Sequence, residues 1–122
     1  AGGVIRRTFG ASRDLGRALA YLHEHIHEPI SIDELARVAG MSKAVFHRRF
    51  KAATALSPLQ FIKATRLNNA AALIAGGKNI AETAYEVGYE SPSQFSREFN
   101  RHYGMPPRRW ANDPGPSAAA GR

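Results

Sequence analysis

Apolar residues recur along this chain at helical spacing, in blocks separated by Gly, Pro and short polar residues. Leu15, Ala18, Leu19, Leu22 and Ile26 form a first stripe, with Asp14 as its expected cap and Glu28-Pro29 as its end. Ser31 and Glu34 have capping-box spacing for a second helix, which Gly40 stops. Ser42 opens a third, reaching to near Thr54. Ser57-Pro58-Leu59-Gln60 opens a fourth, with Pro at the first helical position, where its missing N–H is not needed. That helix runs to Ala75 and ends at Gly76-Gly77. Asn79 with Glu82 caps a fifth that stops at Gly88, and Ser91-Pro92 opens a sixth ending near Gly104. Met105-Pro106-Pro107 begins a short last turn through Arg108, Arg109 and Trp110. No β-hairpin signal interrupts the series, so the pattern predicts an all-α chain of about seven helices.

Two of these helix pairs are copies of one another. Ile32, Glu34, Ala36 and Gly40 recur 48 positions later as Ile80, Glu82, Ala84 and Gly88. Ser42, Phe46, Arg48, Phe50 and Pro58 recur 49 positions later as Ser91, Phe95, Arg97, Phe99 and Pro107. The second copy therefore carries one extra residue in its turn. A duplicated helix–turn–helix offers two helices to DNA at once.

Helix geometry says which side of each second helix is presented. At about 100° per residue, Phe46, Phe50 and Ala53 share a core-facing sector, opposite Ala44, His47, Arg48 and Lys51. In the later copy Phe95 and Phe99 point inward, while Ser93, Ser96, Arg97 and Asn100 point outward. Neither outward face carries an acid, as a major-groove surface requires. A lone Arg on a helix is usually only solvated; recurrence at the matching place in both copies makes Arg48 and Arg97 candidates for bidentate bonding to guanine O6 and N7. His47 can donate to a base acceptor, and the Ala44 methyl can pack on a thymine methyl. Ser42 and Ser91 are N-caps first, although the free N–H groups of a helix start can also hold phosphate. Gln94 either closes its capping box or faces the DNA. Phe46, Phe50, Phe95, Phe99 and Trp110 read as core rather than as a stacking platform for single strands. The fourth helix has apolar residues on more than one side (Leu59, Phe61, Ile62, Leu67, Leu73, Ile74), which suits a strut about 28 Å long from Ser57 to Ala75. Such a strut is expected to place the two presented helices roughly one DNA turn, near 34 Å, apart.

Composition narrows the class further. The 122 residues suit one compact unit or two closely joined halves, with a formal charge of +7. No acid occurs from Leu35 through Ala81, a stretch holding Arg37, Lys43, Arg48, Arg49, Lys51, Lys63, Arg66 and Lys78. Segregated cations suit an anionic polymer. The absence of cysteine removes disulfides, cysteine–zinc sites and a cysteine nucleophile. No Ser/His/Asp set or carboxylate pair forms a recognisable motif, so an enzyme is not expected. His23, His25 and His27 are the one metal-like cluster; they read as exposed residues of the first helix, so no metal or other cofactor is expected. No apolar run reaches membrane length and no signal-peptide core opens the chain, so the expected location is the cytoplasm, without a membrane partner.

The run Ile80-Ala-Glu-Thr-Ala-Tyr-Glu-Val-Gly-Tyr-Glu-Ser-Pro-Ser-Gln-Phe-Ser-Arg-Glu-Phe99, followed by Gly104-Met-Pro-Pro107, resembles the signature of the AraC/XylS family of bacterial transcription regulators. The likeness extends from near Asp14 to Trp110. It implies a seven-helix DNA-binding domain with two helix–turn–helix units joined by a long helix. By that resemblance Ala44, His47 and Arg48 read bases in the first unit, and Ser93, Gln94 and Arg97 in the second. Ser42, Lys43, Lys51, Ser91, Ser96, Asn100 and Arg101 flank them and are assigned to phosphates. Ala44 and Pro92 are small or non-donating where some members carry larger polar side chains. The expected layout is a linker remnant over 1–13, a first subdomain over 14–55, a linker helix over 56–77, a second subdomain over 78–110 and a disordered tail over 111–122. Most members carry a further effector-binding or dimerising domain, so the stretch is expected to be the C-terminal part of a longer regulator. The expected partners are a double-stranded operator and, for activation, RNA polymerase, with this stretch monomeric and the full-length protein dimeric. The rival expectation is a basic helical protein-interaction module without specific DNA readout.

Overall fold

The computed structural model describes residues 2–112, with side chains from residue 13 onward. Its described residues form seven helices and no strand: α1 (Gly2–Glu24), α2 (Ile32–Val38), α3 (Lys43–Thr54), α4 (Pro58–Ala75), α5 (Ile80–Glu86), α6 (Pro92–Tyr103) and α7 (Pro107–Asn112).

Local chemistry sets most of these boundaries. The first N–H groups of a helix lack intrahelical acceptors, and a short polar side chain supplies one. Ser31 Oγ accepts from the Glu34 N–H at 3.0 Å, Ser42 Oγ from Val45 at 3.3 Å, Asn79 Oδ1 from Glu82 at 3.0 Å and Ser91 Oγ from Gln94 at 3.1 Å. At α4 the box closes both ways: Ser57 Oγ accepts from the Gln60 N–H at 3.2 Å, and Gln60 Oε1 accepts from the Ser57 N–H at 3.1 Å. The Glu34 carboxylate instead accepts from the Tyr21 hydroxyl at 3.2 Å, tying α2 to α1. At the far ends, Ala55 (φ 69°) and Gly104 (φ 75°) are equivalent left-handed caps. Their N–H groups donate to the Lys51 and Asn100 carbonyls, each at 2.8 Å. Glycine adopts that conformation without steric cost, whereas Ala55 carries a Cβ into it.

Three boundaries differ from the sequence expectation. The first helix starts at Gly2, so Asp14 is an interior residue paired with Arg17 rather than a cap. No proline separates Gly2 from Asp14, and an Asp paired with Arg three residues on fits a helix interior. The same helix ends at Glu24, ahead of Glu28-Pro29, where the Glu28 N–H closes a turn onto the His25 carbonyl at 3.0 Å. At the other end Ala111 and Asn112 belong to α7; the remaining tail, 113–122, lies outside the described residues.

The chain divides into two compact units, Ala1–Ile62 and Lys63–Arg122, and the division falls within α4. The stretch expected as a separate connector thus contributes Ile62 to one core and Leu67, Ala70, Ala71 and Ile74 to the other. In the first unit Leu15, Ala18, Leu22 and Ile26 of the α1 segment meet Leu35, Phe46 and Phe50. The Phe46 and Phe50 rings lie 5.4 Å apart, and Phe61 meets Phe50 edge-on at 5.3 Å. In the second unit Phe95 and Phe99 lie 5.5 Å apart, and Phe99 also packs on Tyr103 and Trp110 at 4.7 and 5.7 Å. The Trp110 indole N–H donates to the Ala71 carbonyl at 2.9 Å, which fastens α7 to α4. Each phenylalanine pair pins the inner side of its helix, and so determines which residues of α3 and α6 face outward.

Candidate DNA interface

On α3 the two phenylalanines are buried, while Ala44, His47, Arg48, Arg49 and Lys51 are exposed. Ala53, expected beside the phenylalanines, is exposed. A helical-wheel angle places a residue on a side of its helix, whereas burial also needs an element packed opposite that residue. Arg49, counted among the segregated cations but not assigned to DNA, flanks the core stripe about 60° from Phe46 on the wheel and is nevertheless exposed. Among the described residues Arg48, Arg49 and Lys51 form no ion pair, so their charges remain available to an anionic ligand. Lys43, assigned to phosphate, is exposed and 3.7 Å from the Asp33 carboxylate. An exposed pair of that length is weak and open to exchange for a phosphate.

On α6, Ser93, Gln94, Arg97, Asn100 and Arg101 are exposed, and Ser96 is half-buried. The Gln94 backbone N–H completes the Ser91 cap while its side chain stays exposed. The one acid of α6, Glu98, is turned away from that surface and meets Lys63 Nζ at 3.2 Å. The exposed face of α6 is therefore free of negative charge, as its wheel position predicts. Ser42 and Ser91 hold N–H groups at the helix starts as expected. Arg108 and Arg109 on α7 add two exposed cations that the periodicity did not single out. The signal for them lies beside them: Trp110 anchors the helix and leaves its neighbours outside.

A second, half-buried polar group sits behind α6. Gly88 has φ +104°, and a Cβ added there would stand 3.0 Å from Arg66 Nε and 3.1 Å from Arg66 Cζ. The Arg66 side chain thus lies directly over the turn between α5 and α6. Burial lowers its pKa, while the neighbouring Tyr89 and Glu98 act in the opposite sense. Burial first, and then Glu98, push the Tyr89 hydroxyl well above the ordinary phenol range. Tyr89 Oη and Glu98 Oε2 are both excluded from solvent and have no hydrogen-bond partner among the described residues.

The histidines of the α1 region are engaged separately. His23 meets Phe61 edge-on at 6.1 Å, and His25 stacks on Tyr21 at 4.2 Å and contacts Glu28 Oε2 at 2.6 Å. Among the described residues no group of three or more His, Asp or Glu side chains converges as a metal site would require. No helix among them is long and apolar enough to cross a membrane.

Comparison with known proteins places this architecture. A helix-turn-helix domain family matches residues 35–113, well over half of the chain. An AraC-type regulator of Chromobacterium violaceum, solved by crystallography, superposes with a TM-score of 0.75 at 28% identity, covering 87% of this chain and 98% of that one. The DNA-binding domain of AdpA, a global transcriptional factor solved in complex with a target DNA, superposes at 0.76 with 31% identity, covering 80% of this chain and 89% of that one. The chain belongs to the AraC family. This AraC-family domain is also 32% identical over 105 residues to the MmsAB operon regulatory protein of Pseudomonas aeruginosa, a match covering 85% of this chain and 34% of that protein. The chain spans about a third of the length of the curated relatives it matches (37%, 31% and 34%). The two helix–turn–helix pairs of this AraC-type domain are α2–α3 and α5–α6.

Proposed function

We propose that this AraC-family domain binds double-stranded DNA sequence-specifically, with α3 and α6 reading successive major grooves. The observation that carries this reading is the duplicated outward face: Arg48 and Arg97, at matching places in two copies, are both exposed and outside any ion pair among the described residues. Each guanidinium can bond guanine O6 and N7 together. Ala44 and His47 accompany Arg48, and Ser93 and Gln94 accompany Arg97, as the other base-facing residues. Lys51, Asn100, Arg101 and Ser96, with Lys43 released from Asp33, take phosphates beside the helix starts capped by Ser42 and Ser91. The domain acts as the DNA-binding part of a longer, effector-responsive regulator. In that role it activates transcription through contact with RNA polymerase, binding as a monomer by itself and as a dimer in the full-length protein.

Selection of bound sequences from random DNA, followed by footprinting of the winner, tests the proposal. Two protected major-groove segments about one helical turn apart are expected. Protection of one segment alone removes the paired-reader reading, and binding indifferent to ionic strength favours a protein-interaction module instead. Lys51→Ala is expected to weaken binding on every sequence and to lower the salt slope by about one. An unchanged slope in a salt titration would place Lys51 away from the phosphates.

A further inference from the structure

The two units solve the same packing problem differently. In the first, Leu15 and Ala18 lie buried in the core, Met41 is half-buried against it and Arg49 is exposed. At the matching registers of the second stand Lys63, Arg66, Tyr89 and Glu98, 48 or 49 positions on. Two cations, a carboxylate and a phenol thus replace an apolar contact and a solvated Arg. The substitution coincides with a longer turn: Gly88-Tyr89-Glu90-Ser91 does the work of Gly40-Met41-Ser42. An extra turn residue gives α6 more freedom of direction unless something holds it.

We propose that Arg66 is the positioning residue of the second recognition helix: laid over Gly88 and beside Tyr89 and Glu98, it locks the longer turn and so sets how α6 presents Arg97. Three observations carry this. The Gly88 backbone lies so close to the guanidinium that a Cβ there would stand 3.0 Å from Arg66 Nε, tight enough that Arg66 would have to shift, and its φ of +104° is one that side-chain-bearing residues rarely adopt. Glu98, on α6 itself, is half-buried and already neutralised from α4 by Lys63 at 3.2 Å. Tyr89, in the turn, is buried and edge-on to Phe95 at 5.4 Å, so movement of the turn must move α6. Loss of the Arg66 charge leaves Lys63 as the one ion-pair partner of the half-buried Glu98 carboxylate among the described residues, so part of its compensation goes with it. The device therefore has one strongly preferred geometry, where an apolar seal tolerates sliding. The consequence for base reading rests on the paired-reader proposal above.

Amide hydrogen exchange on the whole 122-residue chain, with no DNA present, tests the lock itself. Arg66→Met is expected to speed exchange at least tenfold over residues 88–103 and to leave 32–54 unchanged, with Arg66→Lys recovering most of the protection. A second arm selects bound sequences from random DNA. Arg66→Met should lose base preference in the half-site read by α6 and keep it in the half-site read by α3. Unchanged exchange over 88–103 overturns the proposal, as does equal acceleration in both units or no recovery with Arg66→Lys. If Arg66→Met does not fold, Glu98→Gln, which keeps shape and removes charge, must give the same localised acceleration for the proposal to stand. A wild-type chain that selects no sequence sinks the paired-reader proposal alone, and the exchange arm still decides on the lock.

Discussion

Replacing Phe99 with alanine is expected to destabilise the second unit by roughly 3–5 kcal/mol, the largest single-residue effect in the domain. Phe99 is fully buried and touches three other rings, Phe95, Tyr103 and Trp110. Truncation removes the transfer free energy of the ring and leaves a cavity that those rings cannot close without leaving their own positions. Trp110 is also held by its bond to the Ala71 carbonyl, which restricts collapse from the α7 side. A domain of this size is stable by only about 5–15 kcal/mol, so the loss is a large part of the total. Urea unfolding of Phe99→Ala and wild type side by side measures it. A change below about 1 kcal/mol would mean that the ring cluster is not the structural anchor of α6. Without that anchor the outward face of α6 has no defined direction, so the variant should also lose sequence preference in DNA binding.

The second large effect falls on recognition and leaves stability alone. Arg97→Ala should weaken binding to the selected site by ~1–3 kcal/mol, or roughly 5- to 150-fold, and relax preference at a single base position. Arg97 is exposed, outside any ion pair among the described residues, and opposite the buried Phe95 and Phe99. Its removal therefore leaves no buried group unsatisfied, and thermal unfolding should be unchanged. Arg48→Ala should act likewise at a different base position, because its helix is the earlier copy. The discriminating measurement is affinity on the selected site and on its single-base variants. Equal weakening across all of them would make Arg97 a phosphate contact, and the equivalence with Arg48 would no longer imply base reading.

Much of the fold was legible because its determinants are local. Serine and asparagine caps lie three residues from the N–H groups they satisfy, and glycine stops sit where the chain must turn left-handed. The presented faces were legible too, since two phenylalanines one turn apart fix a helix's inner side wherever the core lies. Expectation failed where a residue's role depended on something distant or absent. Asp14 had the chemistry of a cap, yet the helix had already begun and Arg17 took its charge. Ala53 had the right wheel angle and no neighbour to bury it. Lys43 looked as available as Lys51, and only folding brought Asp33 near it.

The chain's linear pattern settles the number and order of helices, the duplication and the acid-free character of two outward faces, all of which follow from short-range periodicity and capping. Packing in three dimensions settles the rest. It splits α4 between two cores, turns Glu98 away from the exposed surface and brings Arg66 over Gly88 across 22 positions of sequence (88 − 66). Those outcomes depend on burial and Coulomb attraction between residues far apart in the chain, and no local spacing encodes them.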